Sequence, residues 1–139
     1  MSQPSIFYKK GDVVTAPFPY QEDPEEDKVR PVLLLAPTNT TIQGFICAYI
    51  TTQEKPHREG IITINKKDFK EGHLDVYMPS YVHPHVLYTV SSKVILVKKG
   101  TLNDEVVETI VVMITEFLQK PPVQQPTAKA FERPKIKQF

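Results

Sequence analysis

The chain has 139 residues, 40% of them apolar and 24% charged, with a formal net charge of +1. Those values describe one ordinary globular domain, long enough to bury roughly two-thirds of the surface its unfolded chain exposes. They exclude a whole-molecule basic field, so any contact with a nucleic acid has to come from a local patch.

The single cysteine, Cys47, lies inside an apolar segment and reads as a small buried hydrophobe rather than a reactive thiol. Without cysteine pairs, nothing points to an oxidising compartment. Residues 1–5 carry no basic stretch followed by an apolar one, so no signal peptide is expected. No apolar run approaches the roughly 18 residues a membrane span needs, and the cytoplasm is the expected location.

Taken in chain order, strand-like segments dominate the first hundred residues. A first strand is expected over residues 12–16, stopped by Pro17 and Pro19. A polar loop follows, with Glu22, Asp23, Glu25, Glu26 and Asp27 around Pro24; it is long for a hairpin connection. Residues 32–36 form a continuous apolar run, as in a strand buried on both faces, with Pro37 expected to end it. Asn39-Thr40-Thr41 supplies a turn, and residues 45–51 a third strand, again apolar at both parities. A charged loop over 54–59 precedes a fourth strand at 60–64. Asn65 is expected to cap a short helical turn over 66–69, ended by Gly72. Short strands are expected at 77–82, 87–90 and 94–97, with Pro84 forcing a break between the first two.

One helix stands out. Asn103 or Asp104 can cap it, and Asp104 and Glu105 suit the positive end of its dipole. Val106, Val107, Ile110, Val111, Met113, Ile114, Phe117 and Leu118 follow at helical spacing, and Val112 widens the apolar face. Its β-branched residues make it weak by propensity, so packing has to hold it. After Gln119 the composition changes to a basic stretch with four prolines and no apolar period. The expected organisation is a domain over 1–118 and a tail over 119–139. Short strands closed by one helix imply a mainly β fold, a small curved β-barrel with a C-terminal helix.

The chemistry concentrates in two places. Arg30 stands just before the apolar strand that opens at Val32, and Thr51-Thr52-Gln53 closes the next strand. If those strands are neighbours, a guanidinium and hydroxyl donors share one edge, an arrangement suited to holding or straining a phosphodiester. The plain alternatives are an ion pair between Arg30 and the acidic loop, and ordinary strand-end hydroxyls at Thr51 and Thr52. Lys55, His57 and Arg58 make the best local basic patch for a nucleic-acid backbone, or else a solvated turn. His57, His83 and His85 are all expected in loops. His83-Pro84-His85 lacks the convergent carboxylates or cysteines of a metal site.

The order of these segments resembles the PemK/MazF family, the ribonuclease toxins of bacterial toxin–antitoxin pairs. The resemblance rests on Lys10-Gly11-Asp12-Val13-Val14 leading into Pro17-Phe18-Pro19, then Val29-Arg30-Pro31-Val32-Leu33-Leu34. It continues through Tyr49-Ile50-Thr51-Thr52-Gln53 to Gly100-Thr101-Leu102 before the closing helix, covering about residues 8–118.

That resemblance implies an SH3-like barrel of the CcdB/PemK type that forms a homodimer. It implies metal-independent cleavage of single-stranded RNA, usually mRNA, with no cofactor, and inhibition by a cognate antitoxin protein. Arg30 and Thr51 fall on the family's catalytic arginine and Ser/Thr. Lys28, Thr52, Gln53, Lys55, His57 and Arg58 are the candidate substrate-binding residues around them. The acidic loop departs from the family pattern, with Glu26 and Asp27 available as a base, and His83 stands where an arginine is expected. A barrel that binds RNA or a peptide without turnover is the alternative. The gyrase-poisoning CcdB ending, Trp-Gly-Ile, is absent from a chain that ends Lys137-Gln138-Phe139.

Overall fold

A computed structural model describes residues 7–17, 29–39, 41, 43–52, 60–74 and 79–121. Among them the strands are β1 (Asp12–Pro17), β2 (Val29–Asn39), β3 (Gln43–Thr51), β4 (Ile62–Ile64), β5 (Phe69–Gly72), β6 (Ser80–Ser91) and β7 (Val97–Leu102), followed by helix α1 (Asp104–Gln119). The seven described strands form one sheet in the order β4-β6-β3-β2-β1-β7-β5, and every pairing is antiparallel. The mainly β expectation with one C-terminal helix holds.

Each face of the sheet carries its own core. On one face Val13, Leu33, Leu35, Ala48, Ile50, Ile64, Val82 and Leu102 pack with Val107 and Ile110 of α1. On the other, Val14, Ala16, Val32, Leu34, Phe45, Cys47, Val90 and Ile95 pack with Tyr8 and Tyr88. Burial on both faces is why β2 and β3 are apolar at both parities. Ile64 of edge strand β4 meets Leu102 of β7 in the first core, with Phe69 of the opposite edge strand β5 packed against it. The sheet therefore curls around that core, as a barrel does. Register shifts in β1–β7, β2–β3, β3–β6 and β5–β7 supply bends.

Helix α1 closes the first core. Val107 and Ile110 are buried, and Val106, Val111 and Ile114 pack partly against the cluster. Full burial of each large aliphatic contributes about 1.5–3 kcal/mol, enough to offset the weak propensity of a valine- and isoleucine-rich helix. The Asn103 carbonyl accepts from the N–H groups of Val106 and Val107, while its side-chain amide donates to the Lys67 carbonyl instead of capping the helix. Val112, Phe117 and Leu118 remain exposed.

Four local expectations change. Pro37 does not end β2, which continues to Asn39 paired with β3. The β1 ladder extends along β2 only to Leu33, so no described strand pairs with the outer side of β2 around Pro37, where the missing N–H is tolerated. Residues 66–68 form a 3-10 turn held by Asp68, whose carboxylate accepts from the Asn65 N–H at 2.7 Å. Gly72 then ends a strand, β5, not a helix. Pro84 does not split β6: Tyr49 pairs with His83 and the preceding Ala48 with Leu87, so residues 84–86 bulge out where no ladder bond is required. Residues 92–94 are a 3-10 turn, and the strand expected at 94–97 begins at Val97.

Candidate nucleic-acid interface

Strand ends assemble this site. β1 finishes at Pro17, β2 starts at Val29, β3 finishes at Thr51 and β6 starts at Ser80, all at one end of the sheet. Arg30 pairs with Ala16 of β1. The β2–β3 ladder reaches Val32 opposite Tyr49, and two further residues along each strand lie Arg30 and Thr51. Thr51 pairs in turn with Tyr81 of β6, and Tyr81 with Thr63 of β4. Adjacent strands are about 4.8 Å apart, so these residues make one row across the sheet.

Alternation decides which way the row faces. Val32 and Leu34 belong to the second core, so Arg30 points to that side; Phe45 and Cys47 do the same for Tyr49 and Thr51. Val82 belongs to the first core, which sends Tyr81 and His83 to the side of Thr51. Burial is uneven along the row and lowest at the β4 edge. Ala16 and Thr51 are buried, Arg30 and Tyr81 half-buried, and Thr63 exposed. Thr51 is only 6% exposed, so its hydroxyl is a positioned group, not a freely solvated one. Arg30 and Thr51 are thus brought to one edge and one face, as their sequence positions predicted. Thr52 follows in a bend beyond β3, half-buried.

Lys28, Gln53, Lys55, His57 and Arg58 lie outside the described residues, as do the carboxylates at 22–27. Lys28 immediately precedes β2 and Gln53 comes two residues after Thr51, so both segments leave from the edge that holds Arg30 and Thr51. The histidines of the 83–85 segment lie in strand β6, not in a loop. His83 is buried opposite Tyr49, with ring centroids 5.3 Å apart at 48°. His85, exposed on the bulge, meets the Phe117 ring edge-on at 4.3 Å. Beside Thr51 on this face lie Tyr49 and Tyr81, to which sequence reasoning gave no role, and His83, which it named but placed in a loop. The signal for Tyr81 was its alternation with Val82 inside the strand expected at 77–82.

A second charged cluster sits at the opposite end of β1. Asp12 is fully buried and accepts from the Lys9 N–H at 2.9 Å and from Thr101 Oγ1 at 2.8 Å, with Lys98 Nζ at 3.5 Å. Thr101 Oγ1 also lies 3.2 Å from Glu71, and Lys98 lies 3.8 Å from the same carboxylate. These groups satisfy one another and tie the start of β1 to β7. On the second core, burial pushes the Cys47 thiol up to about 12, with the hydrogen bond from Tyr88 acting the other way. It is a packing residue, as the sequence implied.

Comparison with known proteins now bears on this edge. A family model described as the PemK-like, MazF-like toxin of type II toxin–antitoxin systems matches residues 9–118. The chain belongs to that family. The matched span runs from just before β1 almost to the end of α1, and it includes Arg30, Thr51 and the whole cross-strand row. A search among curated proteins found no match.

Proposed function

We propose that this PemK/MazF-like protein is an endoribonuclease that cuts single-stranded RNA without a metal. The observation that carries the reading is the placement of Arg30 and Thr51 on one face at one end of the sheet, two residues beyond the Val32–Tyr49 pair. In the reaction a ribose 2′-oxygen attacks the adjacent phosphorus while the bond to the 5′-oxygen breaks. The products are a 2′,3′-cyclic phosphate and a 5′-hydroxyl. Negative charge builds on the non-bridging oxygens at the pentacoordinate stage. The planar fork of Arg30 donates two hydrogen bonds to that charge, and Thr51 supplies a third donor or orients the attacking oxygen. Arg30 stays protonated throughout and supplies the positive charge a metal would otherwise bring.

The rest of the proposal extends the same reading outward from this edge. Lys28, Thr52, Gln53, Lys55, His57 and Arg58 bind the RNA on either side of the cut, a cognate antitoxin protein blocks this edge, and two copies form the working unit. Among the described residues no helix is long and apolar enough to cross a membrane; we place the protein in the cytoplasm, where its RNA is. Incubation with a long single-stranded RNA in EDTA tests the reading. Fragments ending in cyclic phosphate support it, and intact RNA overturns it. Light scattering across a dilution series tests the dimer, and a monomer at every concentration refutes that part.

A further inference from the structure

Between the phosphate-directed edge and the open flank of the sheet, one side chain of the row has no task in this chemistry. Tyr81 is half-buried, directly opposite Thr51 on one side and the exposed Thr63 on the other. Among the described residues β4, three residues long, is the last strand on this side of the sheet. The described neighbour of the tyrosine on that side is therefore a small, exposed side chain, Thr63. Of the other described tyrosines on this face, Tyr8 and Tyr88 pack against the second core and Tyr49 is already engaged by the His83 ring.

From this placement we propose that Tyr81 is the stacking seat for a base, that of the nucleotide whose phosphate Arg30 and Thr51 hold. The inference rests on the ribonuclease reading for the phosphate, and it adds where the base goes and why the substrate must be single-stranded. A neighbouring strand is about 4.8 Å away, a distance that one ribose bridges between its phosphate and its base. A base can lie on a protein ring only when it has left its own stack, which single strands permit and duplexes resist. Stacking uses the π-face that all bases share, so Tyr81 contributes affinity without choosing the sequence. That choice falls to groups that reach base edges, Gln53 among the candidates.

Tyr81 is a binding residue in this account. Its loss weakens substrate and transition state alike, raising KM and leaving kcat near its original value. The test uses a short RNA with a 2′-O-methyl group at the cut, so that it binds without reacting. Fluorescence anisotropy compares the full-length protein with Tyr81→Leu and Tyr81→Phe, each first shown to unfold cooperatively. Tyr81→Leu is expected to bind about 5- to 150-fold more weakly, the range for one stacked base, and Tyr81→Phe within about threefold of wild type. An abasic site at the same nucleotide should erase the difference between wild type and Tyr81→Leu, which a merely structural role would not do.

Equal binding by Tyr81→Leu and wild type overturns the stacking seat and leaves the cleavage reading standing. A difference that persists on the abasic RNA overturns it as well. Binding that depends on Tyr81, together with failure to cut unmodified RNA, keeps the seat and removes the ribonuclease. No binding by wild type overturns the seat outright.

Discussion

Asp12 offers the sharpest test of what ties the start of β1 to β7. Replacing it with alanine removes a fully buried carboxylate that accepts from the Lys9 N–H at 2.9 Å and Thr101 Oγ1 at 2.8 Å. Hydrogen bonds to a charged group are worth about 1.5–3 kcal/mol each, so the two together set a range of about 3–6 kcal/mol. Two features pull the cost towards the lower end. Thr101 can turn to Glu71, already 3.2 Å away, and Lys98, with 32% of its side chain exposed, regains water. We therefore expect Asp12→Ala to destabilise by about 3 kcal/mol.

In urea, with a slope near 2 kcal/mol per molar, that lowers the unfolding midpoint by about 1.5 M. Asp12→Asn should cost less, because its amide oxygen still accepts from the Lys9 N–H while its NH2 can donate to Thr101 Oγ1, whose own proton can turn to Glu71. Ala16, the partner of Arg30, lies four steps along β1 from Asp12, which at about 3.3 Å per residue is roughly 13 Å. RNA cleavage per folded molecule should accordingly survive both substitutions. An unchanged midpoint for Asp12→Ala would refute the clasp. Unchanged stability with lost cleavage would show that Asp12 belongs to the chemistry and that the two ends of β1 have been assigned wrongly.

Two further predictions concern packing. Gly11 has φ +94°, its N–H donates to the Leu34 carbonyl at 2.8 Å, and a Cβ there would lie 3.3 Å from Val107 Cγ2; Gly11→Ala should destabilise by about 1–3 kcal/mol in the same urea titration, and a neutral result would contradict the left-handed conformation. With its thiol pushed up to about 12, Cys47 should react with a thiol reagent at pH 8 at least ~100-fold more slowly in the native protein than in urea. Equal rates would mean that the second core is open.

Much of this was legible in the sequence, for identifiable reasons. The apolar runs of β2 and β3 announced strands buried on both faces, and the spacing of Val107, Ile110 and Ile114 announced α1. The juxtaposition of Arg30 with Thr51 needed only that β2 and β3 be neighbours, which a short turn between them guarantees. What failed was the treatment of proline as a terminator. Pro37 and Pro84 both sit within strands, one where no described strand pairs with the outer side of β2 and the other in a bulge. Those are tertiary circumstances that no local pattern carries. The expected break at Pro84 put His83 and His85 in a loop, whereas both lie in β6. Asp12 escaped notice for a related reason: a carboxylate at a strand start looks solvated until Thr101, 89 residues away, is set beside it.

Cleavage of a long single-stranded RNA in EDTA by wild type, Arg30→Ala and Thr51→Ala, each confirmed as folded by its urea transition, tests the central claim most directly. Loss of one preorganised donor costs about 3–4 kcal/mol, or ~10²–10³ in rate. Wild-type cutting that leaves cyclic-phosphate ends, with each variant slowed by about that factor, is the predicted result. Equal cutting by all three proteins would contradict it and place the chemistry elsewhere on the molecule.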